Sequence, residues 1–417
     1  MERLVIVGGK KLAGEVTTSG AKNAILPIMA AALLTSRLCI FDNVPDLLDV
    51  KVMCRVLAGL GAECRLQGRV LTVDAAHAEP VEIEPDLIRR LRASNLVMGP
   101  LLGRFQRFKV AYPGGCEIGA RPMDLHLKGF RLLGARIKEE YGFIEAEAES
   151  LQGTDIHLDF PSVGATENIM MAAVLAEGIT HIYNAAREPE IVDLQNFLNK
   201  IGARIQGAGS DTITIEGVKN LQGAEHSIIP DRIEAGTYLA AAAITGGEIL
   251  VRNINPYYLA SVLAKLREMG ADVHPYSTEI FLRGPSRLRA VDCKTLPYPG
   301  FPTDMQPQIM ALMTLAEGTS IICESIFERR FKHASEFKRM GADIKIEGCV
   351  AVVTGVNSLS GTCVEASDLR AGAGLALAGL VAEGTTYLEG LQHLDRGYEQ
   401  FEAKLQGLGA RIWREKI

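Results

Sequence analysis

The chain has 417 residues, more than a single hydrophobic core ordinarily serves, so two or three domains are expected. Hydrophobic residues make up 47% and charged residues 23%, values that are typical of a folded soluble protein and exclude a disordered or fibrous one. The formal net charge of −6 argues against a general nucleic-acid surface, so an anionic ligand must be held by a local group of Arg and Lys side chains.

The first segment, MERLVIVGGKKLAGEV, lacks the apolar core and the cleavage site of a signal peptide. The longest apolar run, from Ala24 to Leu34, has 11 residues and contains Pro27. A membrane helix needs about 20 apolar residues. We therefore expect a cytoplasmic protein without a membrane partner.

The eight cysteines form no CxxC pair, and no two histidines have the spacing of a zinc protease site. We expect reduced thiols, no metal and no cofactor. Most of the cysteines lie in apolar stretches, where a small buried side chain is the simplest interpretation. Cys116 is the exception.

A motif of the form Leu/Ile/Met-Gly-Ala occurs six times along the chain. Its glycines are at positions 61, 134, 202, 270, 341 and 409, with spacings of 73, 68, 68, 71 and 68 residues. Such regularity indicates an internal repeat of about 70 residues. Each copy follows an amphipathic stretch and precedes an alternating one, which predicts a helix, a glycine C-cap and a strand.

A second signature precedes the motif in most repeats, as in AAVLAEGITHIYNA and ALMTLAEGTSIICES. It predicts an Ala-rich helix that ends at glycine and is followed by a strand. Each repeat should thus contain two helices and at least three strands, and two domains should share the six repeats, with linkers near Ser19–Ala21 and Ile228–Pro230. VIVGGKKLAGEV lacks both the dinucleotide-binding glycine fingerprint and the P-loop spacing.

Two helix starts are candidate anion sites. In SGAKNAILPIMAAALL, Lys22 and Asn23 stand just ahead of an apolar helix. A solvated lysine is the simpler interpretation, but the helix dipole, free amides and an ammonium also make a phosphate or carboxylate site. In FPSVGATENIMMAAVLAEG, Ser162, Val163 and Gly164 are either an ordinary helix cap or a diphosphate site.

Cys116 lies between glycines and five residues before Arg121, in PGGCEIGARP. The glycines disfavour regular structure, and the arginine places positive charge near the thiol, so we expect an accessible, reactive cysteine.

Carboxylates and arginines at other helix starts complete the candidates. Asp304 follows the proline-rich PYPGFPT and is either a cap or a catalytic base. Asp368 and Arg370 occupy a similar position in EASDLRAG, and Arg396 lies in LDRGYEQF. Arg89 and Arg90, in DLIRRLRASN, are better interpreted as a solvated helix face.

The motifs, taken together, carry a resemblance. The following motifs occur in this order along the whole chain: SGAKNA, RASN, PGGCEIGARPMDLH, SVGATENIM, AAREPEIVD, PDRIEAGT, PTDMQPQ, RRFKHASEFKRMGA, ASDLRAG and LDRGYE. In these motifs the chain resembles the enolpyruvyl transferase family, and within it the branch whose acceptor is UDP-N-acetylglucosamine.

The resemblance implies an α/β fold of two inside-out α/β barrels, each of three repeated units with helices inside and sheets outside. It implies a first domain of residues 22–229 that carries Cys116 on a lid. The second domain would comprise residues 1–21 and 230–417.

The implied reaction transfers the enolpyruvyl group of phosphoenolpyruvate to the 3-hydroxyl of UDP-N-acetylglucosamine and releases phosphate. This is the first committed step of peptidoglycan synthesis, and so serves cell-wall biogenesis, cell shape and cell division. Family members are usually monomeric, and the cysteine of this lid is the target of fosfomycin.

Roles for individual residues also follow from the resemblance. Cys116 would be the general acid at the methylene carbon, and Asp304 the base for the sugar hydroxyl. Phosphoenolpyruvate would be held by Lys22, Arg121 and Arg396, with Arg92 and Arg330 supporting the closed site. The sugar, uridine and diphosphate would be held by Asn23, Arg121, Pro122, Met123, Asp124, Leu125, Ser162, Val163, Gly164 and Ile326, with Asp368 and Arg370 as further substrate-binding candidates. Glu117 departs from the small or neutral residue of many relatives, and its charge would modestly raise the pKa of the neighbouring thiol.

Two alternatives remain. 5-Enolpyruvylshikimate-3-phosphate synthase shares the donor and the repeats but lacks the cysteine lid. A non-catalytic nucleotide-binding relative would have lost Lys22, Cys116, Asp304 or Arg396, and all four are present. Feedback by a later peptidoglycan precursor, UDP-N-acetylmuramate, is a further hypothesis from the resemblance.

Overall fold

A computed structural model describes residues 2–82, 92–112 and 123–416. In that part the protein consists of two units. The first unit comprises the described residues of 20–116 and 121–229, and the second unit comprises those of 1–19 and 230–417; each makes most of its contacts internally.

The chain begins with two strands of the second unit, β1 (Glu2–Val7) and β2 (Ala13–Thr17). The helices described in the first unit are α1 Lys22–Ala31, α2 Leu48–Gly59, α3 Met98–Phe105, α4 Asp124–Leu132, α5 Val163–Ala173 and α6 Pro189–Lys200, with 3₁₀ turns at Ala32–Leu34 and Arg92–Val97. Its strands are β3 Cys39–Asp42, β4 Glu63–Gln67, β5 Val70–Asp74, β6 Arg107–Ala111, β7 Arg136–Glu140, β8 Phe143–Glu147, β9 Asp155–His157, β10 Ile179–Tyr183, β11 Arg204–Gln206, β12 Thr212–Glu216 and β13 Glu225–Ser227.

The second unit continues with α7 Arg232–Thr245, α8 Ala260–Glu268, α9 Gln306–Met313, α10 Ala334–Arg339, α11 Leu369–Gly379, α12 Leu391–Leu394 and α13 Phe401–Gly407, with 3₁₀ turns at Pro256–Leu259 and Thr303–Met305. Its strands are β14 Glu248–Arg252, β15 Asp272–Pro275, β16 Glu279–Arg283, β17 Cys293–Lys294, β18 Thr319–Cys323, β19 Asp343–Glu347, β20 Val350–Thr354, β21 Cys363–Glu365, β22 Thr385–Glu389 and β23 Arg411–Lys416.

Three sheets are described in each unit. The first unit has the strand orders β13-β3-β5-β4, β6-β8-β7 and β11-β12-β10-β9, and the second has β15-β16-β14-β2, β17-β18-β20-β19 and β21-β22-β1-β23. Strand β1 pairs antiparallel with both β22 and β23, and β2 pairs parallel with β14, so the start of the chain is built into two sheets of the second unit. Buried and exposed residues alternate along strands such as β12 and β14, so each sheet buries one face.

The predicted helix, glycine cap and strand are confirmed in all six repeats. Each motif glycine has a φ between +88° and +105°, in the left-handed region that a side chain disfavours. The alanine after it donates its N–H to a carbonyl five residues earlier at 3.0–3.1 Å. This is the bond that closes a Schellman motif, and a strand begins within two residues of that alanine.

The second signature was only partly correct. Helix α7 does end at its glycine, Gly246, but α5, α9 and α11 end five residues before theirs, at Ala173, Met313 and Gly379. A non-helical turn fills the interval in these three repeats. An Ala-rich sequence favours a helix but does not fix where the last helical hydrogen bond lies.

Helices form the interior of the second unit. Every residue of α7, α9 and α11 is buried, and these three helices contact one another. Small residues allow the close approach: a Cβ on Gly374 of α11 would lie 2.7 Å from the carbonyl oxygen of Pro307 in α9. Because these helices pack closely, the polar side chains at their ends are brought near one another. None of the described helices is both long and apolar enough to cross a bilayer.

Candidate functional site

Asp304 lies in the 3₁₀ turn Thr303–Met305 that leads into α9. The N–H of Leu296 donates to the carbonyl of Phe301 at 3.0 Å, which closes the proline-rich loop before it. The N-cap residues of the turn and of α9 are Pro302 and Met305, so Asp304 occupies neither N-cap position. The structure thus places Asp304 inside the turn and not at the N-cap position that the cap interpretation predicts.

Two buried arginines hold the Asp304 carboxylate. Arg370 donates from Nε at 3.2 Å and from Nη2 at 3.0 Å to Oδ2, and Arg330 donates from Nη2 at 3.2 Å to Oδ1. The arginine side chains are 3% and 2% exposed, whereas that of Asp304 is 27% exposed. The cluster thus presents an oriented carboxylate to solvent and concentrates two positive charges behind it.

Tyr398 lies on the other side of Arg370, whose guanidinium carbon is 5.4 Å from the ring centroid. Burial alone would lower the pKa of Arg370, but the charges of Asp304, Tyr398 and Asp231 together raise it above its ordinary value. Arg370 is therefore a permanent cation in this cluster. Arg396 lies two residues before Tyr398, half-buried in the connection between α12 and α13.

His333 is a buried neighbour of this cluster. Burial lowers the pKa of its imidazole to about 4, with the charge of Arg330 acting in the same direction and that of Asp368 opposing it. The ring is therefore neutral near pH 7.

Asp368 is the N-cap of α11, where its Oδ1 accepts the N–H groups of Arg370 at 2.9 Å and Ala371 at 3.2 Å. By fixing this end of the helix, it also fixes the backbone of Arg370. Ile326 is half-buried and donates its N–H to Oε1 of Glu324 at 2.9 Å.

Lys22 is the first residue of α1 in the first unit. Its Nζ lies 2.8 Å from Oδ2 of Asp49 in the first turn of α2, and the two side chains are 13% and 3% exposed. The solvated-lysine interpretation is therefore wrong. Asn23, the next residue, is half-buried at the same helix start.

The N-termini of α4 and α5 lie side by side. The His126 ring of α4 is against Gly164 of α5, where a Cβ would lie 3.2 Å from Cε1, and one turn later Gly129 is against Ile169. The helices therefore run in the same direction, and their positive dipole ends reinforce each other. Ser162 caps α5 by accepting the N–H of Ala165 at 3.4 Å, which confirms the cap without excluding ligand binding.

Other predicted residues flank these two helix starts. Met123 is buried and accepts a hydrogen bond at its sulfur from Asn95, while Asp124 is exposed and Leu125 half-buried. Val163 and Gly164, in the first turn of α5, are half-buried. Cys116, Glu117, Arg121 and Pro122 lie outside the described residues, as does the side chain of Arg92.

Sequence reasoning missed the partners of these residues. Asp49 and Glu324 are buried acids, and Tyr398 was predicted only as part of the motif LDRGYE. An acid that falls on the buried face of a predicted helix, as Asp49 does, was the signal available.

Comparison with known proteins identifies the class. The chain consists of two α/β units and belongs to the EPSP synthase family. The model of that family, EPSP synthase (3-phosphoshikimate 1-carboxyvinyltransferase), matches residues 6–405.

Within the family, curated relatives are similar over the full length. The chain is 58% identical to UDP-N-acetylglucosamine 1-carboxyvinyltransferase 1 of Symbiobacterium thermophilum, over 99% of this chain and 95% of the relative. It is 55% identical to the protein of the same name from Carboxydothermus hydrogenoformans, over 99% of this chain and 98% of the relative.

Solved structures agree on the fold. The enolpyruvyl transferase NikO from Streptomyces tendae matches with a TM-score of 0.89 and 27% identity, over 100% of this chain and 99% of that one. An EPSP synthase from Acinetobacter baumannii matches with a TM-score of 0.76 and 19% identity over 100% of both chains, a likeness of fold alone.

Proposed function

We propose that the protein transfers the enolpyruvyl group of phosphoenolpyruvate to the 3-hydroxyl of UDP-N-acetylglucosamine and releases phosphate, the first committed step of peptidoglycan synthesis. The observation that carries the proposal is 58% identity over 99% of the chain to a UDP-N-acetylglucosamine 1-carboxyvinyltransferase. The acid, base and cations that this chemistry needs are present in the sequence. UDP-N-acetylglucosamine is a precursor made inside the cell, so its use as a substrate is consistent with a cytoplasmic enzyme.

The fold proposed for this activity is a pair of inside-out α/β barrels of three repeats each, with domains of residues 22–229 and of residues 1–21 plus 230–417. Six Schellman-capped repeats and the fully buried helices α7, α9 and α11 support it. As in the family that the chain resembles, the working protein would be a monomer.

Asp304 would accept the proton of the sugar hydroxyl as that oxygen bonds to the central carbon of phosphoenolpyruvate. Its carboxylate is held by Arg330 and Arg370, so the lone pairs are oriented before the substrate arrives. The two guanidinium groups would also attract the negative charge of the substrates, and Arg396 would add positive charge on the same unit. Asp368 would act through Arg370, whose backbone it holds as the N-cap of α11.

Lys22 would bind the phosphate or carboxylate of phosphoenolpyruvate, oriented by its ion pair with Asp49. Arg92 and Arg121 would add positive charge, and Asn23 would contact the sugar. The paired starts of α4 and α5 would hold uridine and diphosphate through free amides. The residues proposed for that contact are Arg121, Pro122, Met123, Asp124, Leu125, Ser162, Val163, Gly164 and, on the second unit, Ile326.

Cys116 would donate a proton to the methylene carbon of phosphoenolpyruvate while Asp304 removes one from the hydroxyl, so that the addition is neutral overall. Loss of phosphate and of one methyl proton then regenerates the double bond in the product. A thiol accessible enough for this step would also be alkylated by the epoxide fosfomycin.

The second candidate, transfer to shikimate 3-phosphate, is favoured by the name of the matching family model. Against it stand the full-length relatives and PGGCEIGARP, which holds the cysteine. We therefore assign UDP-N-acetylglucosamine as the acceptor.

Phosphate release from phosphoenolpyruvate tests this assignment of acceptor and of residues. Release should need UDP-N-acetylglucosamine, fail with shikimate 3-phosphate, and fall by at least about a hundredfold in Cys116→Ser and in Asp304→Asn. Cys349→Ser, at an exposed thiol of the second unit, is the matched control and should retain full activity. Full activity in Cys116→Ser would remove the cysteine from the mechanism, and release with shikimate 3-phosphate alone would reverse the choice of acceptor.

A further inference from the structure

Glu324 follows directly after β18 and is buried, with 2% exposure. Its carboxylate accepts hydrogen bonds from four donors on three segments of the second unit. The hydroxyl of Thr303 donates to Oε2 at 2.9 Å. Oε1 accepts from the Thr295 hydroxyl at 2.7 Å and from the backbone N–H groups of Ile326 and Phe327 at 2.9 and 3.2 Å.

The two oxygens of this carboxylate bind different donors. Oε2 binds the residue next to Asp304, in the same 3₁₀ turn. Oε1 binds the loop that follows β18, which contains Ile326. Thr295 adds to the hydrogen bonds that hold this loop, because its hydroxyl also accepts the N–H of Ser325 at 3.0 Å.

We propose that Glu324 is the positioning residue that fixes the Asp304 turn and the Ile326 loop against each other, and so aligns the base with the bound sugar nucleotide. The inference rests on the proposed function, in which Asp304 takes the proton and Ile326 contacts the nucleotide. Glu324 itself is buried behind both segments and acts through them.

A carboxylate suits this task better than an amide. Two acceptor oxygens receive four donors, whereas a glutamine would direct its NH₂ group at one set of donors. Hydrogen bonds to a charged, buried acceptor are also the strong ones, so the alignment resists thermal motion.

The hydrogen bonds to Oε2 and to Oε1 can be removed separately by nearly isosteric substitutions. Thr303→Val removes only the donor to Oε2, and Thr295→Val removes the side-chain donor to Oε1. Thr245→Val is the matched control: it removes another buried hydroxyl of the same unit, which donates to the carbonyl of Ala241 in the last turn of α7. All three proteins should be compared at equal folded fraction, established by thermal unfolding.

The two valine substitutions should affect different kinetic constants. Thr303→Val should lower kcat about tenfold, with the KM for UDP-N-acetylglucosamine and the Kd for UDP, measured by calorimetry, within about twofold of wild type. Thr295→Val should raise that KM and the Kd for UDP about five- to tenfold with a smaller effect on kcat. Thr245→Val should change stability alone.

Glu324→Gln provides a second measurement if either valine variant folds poorly, and it should lower kcat and weaken UDP binding together. Equal kinetic constants in wild type, Thr303→Val and Thr295→Val, or an effect no larger than that of Thr245→Val, would overturn the inference while leaving the proposed function intact. Wild-type protein that transfers nothing to UDP-N-acetylglucosamine would overturn the proposed function, and this inference with it.

Discussion

Replacing Asp304 by asparagine should destabilise the protein as well as inactivate it. The change keeps the shape of the side chain but removes the negative charge from two guanidinium groups that are 2% and 3% exposed. Removing one partner from a buried ion pair costs about 3–5 kcal/mol. Because Asp304 is 27% exposed and the amide oxygen still accepts one hydrogen bond, we expect the free energy of unfolding to fall by about 2 kcal/mol.

A loss of this size lowers the melting temperature by about 4–8 °C in a unit of roughly 200 residues. Scanning calorimetry of wild type and Asp304→Asn measures it, with Asp343→Asn, an exposed strand position of the same unit, as the control. Inorganic phosphate should restore more of the melting temperature in Asp304→Asn than it adds to wild type, because an anion replaces the missing charge.

Many polar active-site residues are neutral or destabilising for the fold, and their replacement leaves stability unchanged or raises it. A melting temperature of Asp304→Asn equal to or above that of wild type would therefore refute the reasoning that the two buried arginines depend on this carboxylate.

Three further predictions follow from the structure. Asp49→Asn leaves the Lys22 ammonium without its counter-charge and should lower the unfolding free energy by about 2–3 kcal/mol and raise the KM for phosphoenolpyruvate, both measurable by urea titration and steady-state kinetics. Burial lowers the pKa of His333 from 6.5 to about 4. As the pH falls, the unfolded chain therefore takes up a proton at this ring before the folded protein does. As the pH falls from 6.5 to 4, the free energy of unfolding should therefore decrease by about 3 kcal/mol more in wild type than in His333→Gln. Gly202→Ala forces a side chain into a φ of +105° and should cost about 1 kcal/mol of unfolding free energy.

Matched variants give two of these predictions a control, and the pH profiles of wild type and His333→Gln test the third directly. Asp46→Asn breaks the exposed ion pair with Lys51 and should change stability by less than about 1 kcal/mol, and an equal loss in Asp49→Asn would contradict a buried pair. Parallel pH profiles for wild type and His333→Gln would show that this ring does not titrate as stated. Gly407→Ala, in a helix with open space around the new Cβ, should raise stability, and the same sign in Gly202→Ala would contradict the strain argument.

The repeats were predictable from the sequence because their signal is local. A Schellman motif is closed by residues five positions apart, and it demands a glycine at one fixed place, so six spaced glycines were enough to predict six helix ends. The helix ends of the second signature were not predictable because they depend on how tightly the last turn packs, and alanine tolerates either outcome.

The charged partners could not be predicted, because packing selects them across long separations. Asp304 and Arg370 are 66 residues apart and meet only because α9 and α11 are packed against each other in the interior. The sequence indicated that Asp304 sits on a stiff turn, but not that two arginines hold it instead of the helix amides. Glu324 gave no such signal, because it follows a strand and lies on no helix face that the sequence pattern marks as buried.

Product identification tests the central claim most directly. Wild-type protein is incubated with phosphoenolpyruvate and an equimolar mixture of UDP-N-acetylglucosamine and shikimate 3-phosphate, and both acceptors are recovered for mass spectrometry and proton NMR. The account predicts that only the sugar nucleotide gains one carboxyvinyl group, as an ether at its 3-oxygen, with one phosphate released per product. A carboxyvinyl group on shikimate 3-phosphate, or on any other oxygen of the sugar nucleotide, would contradict it.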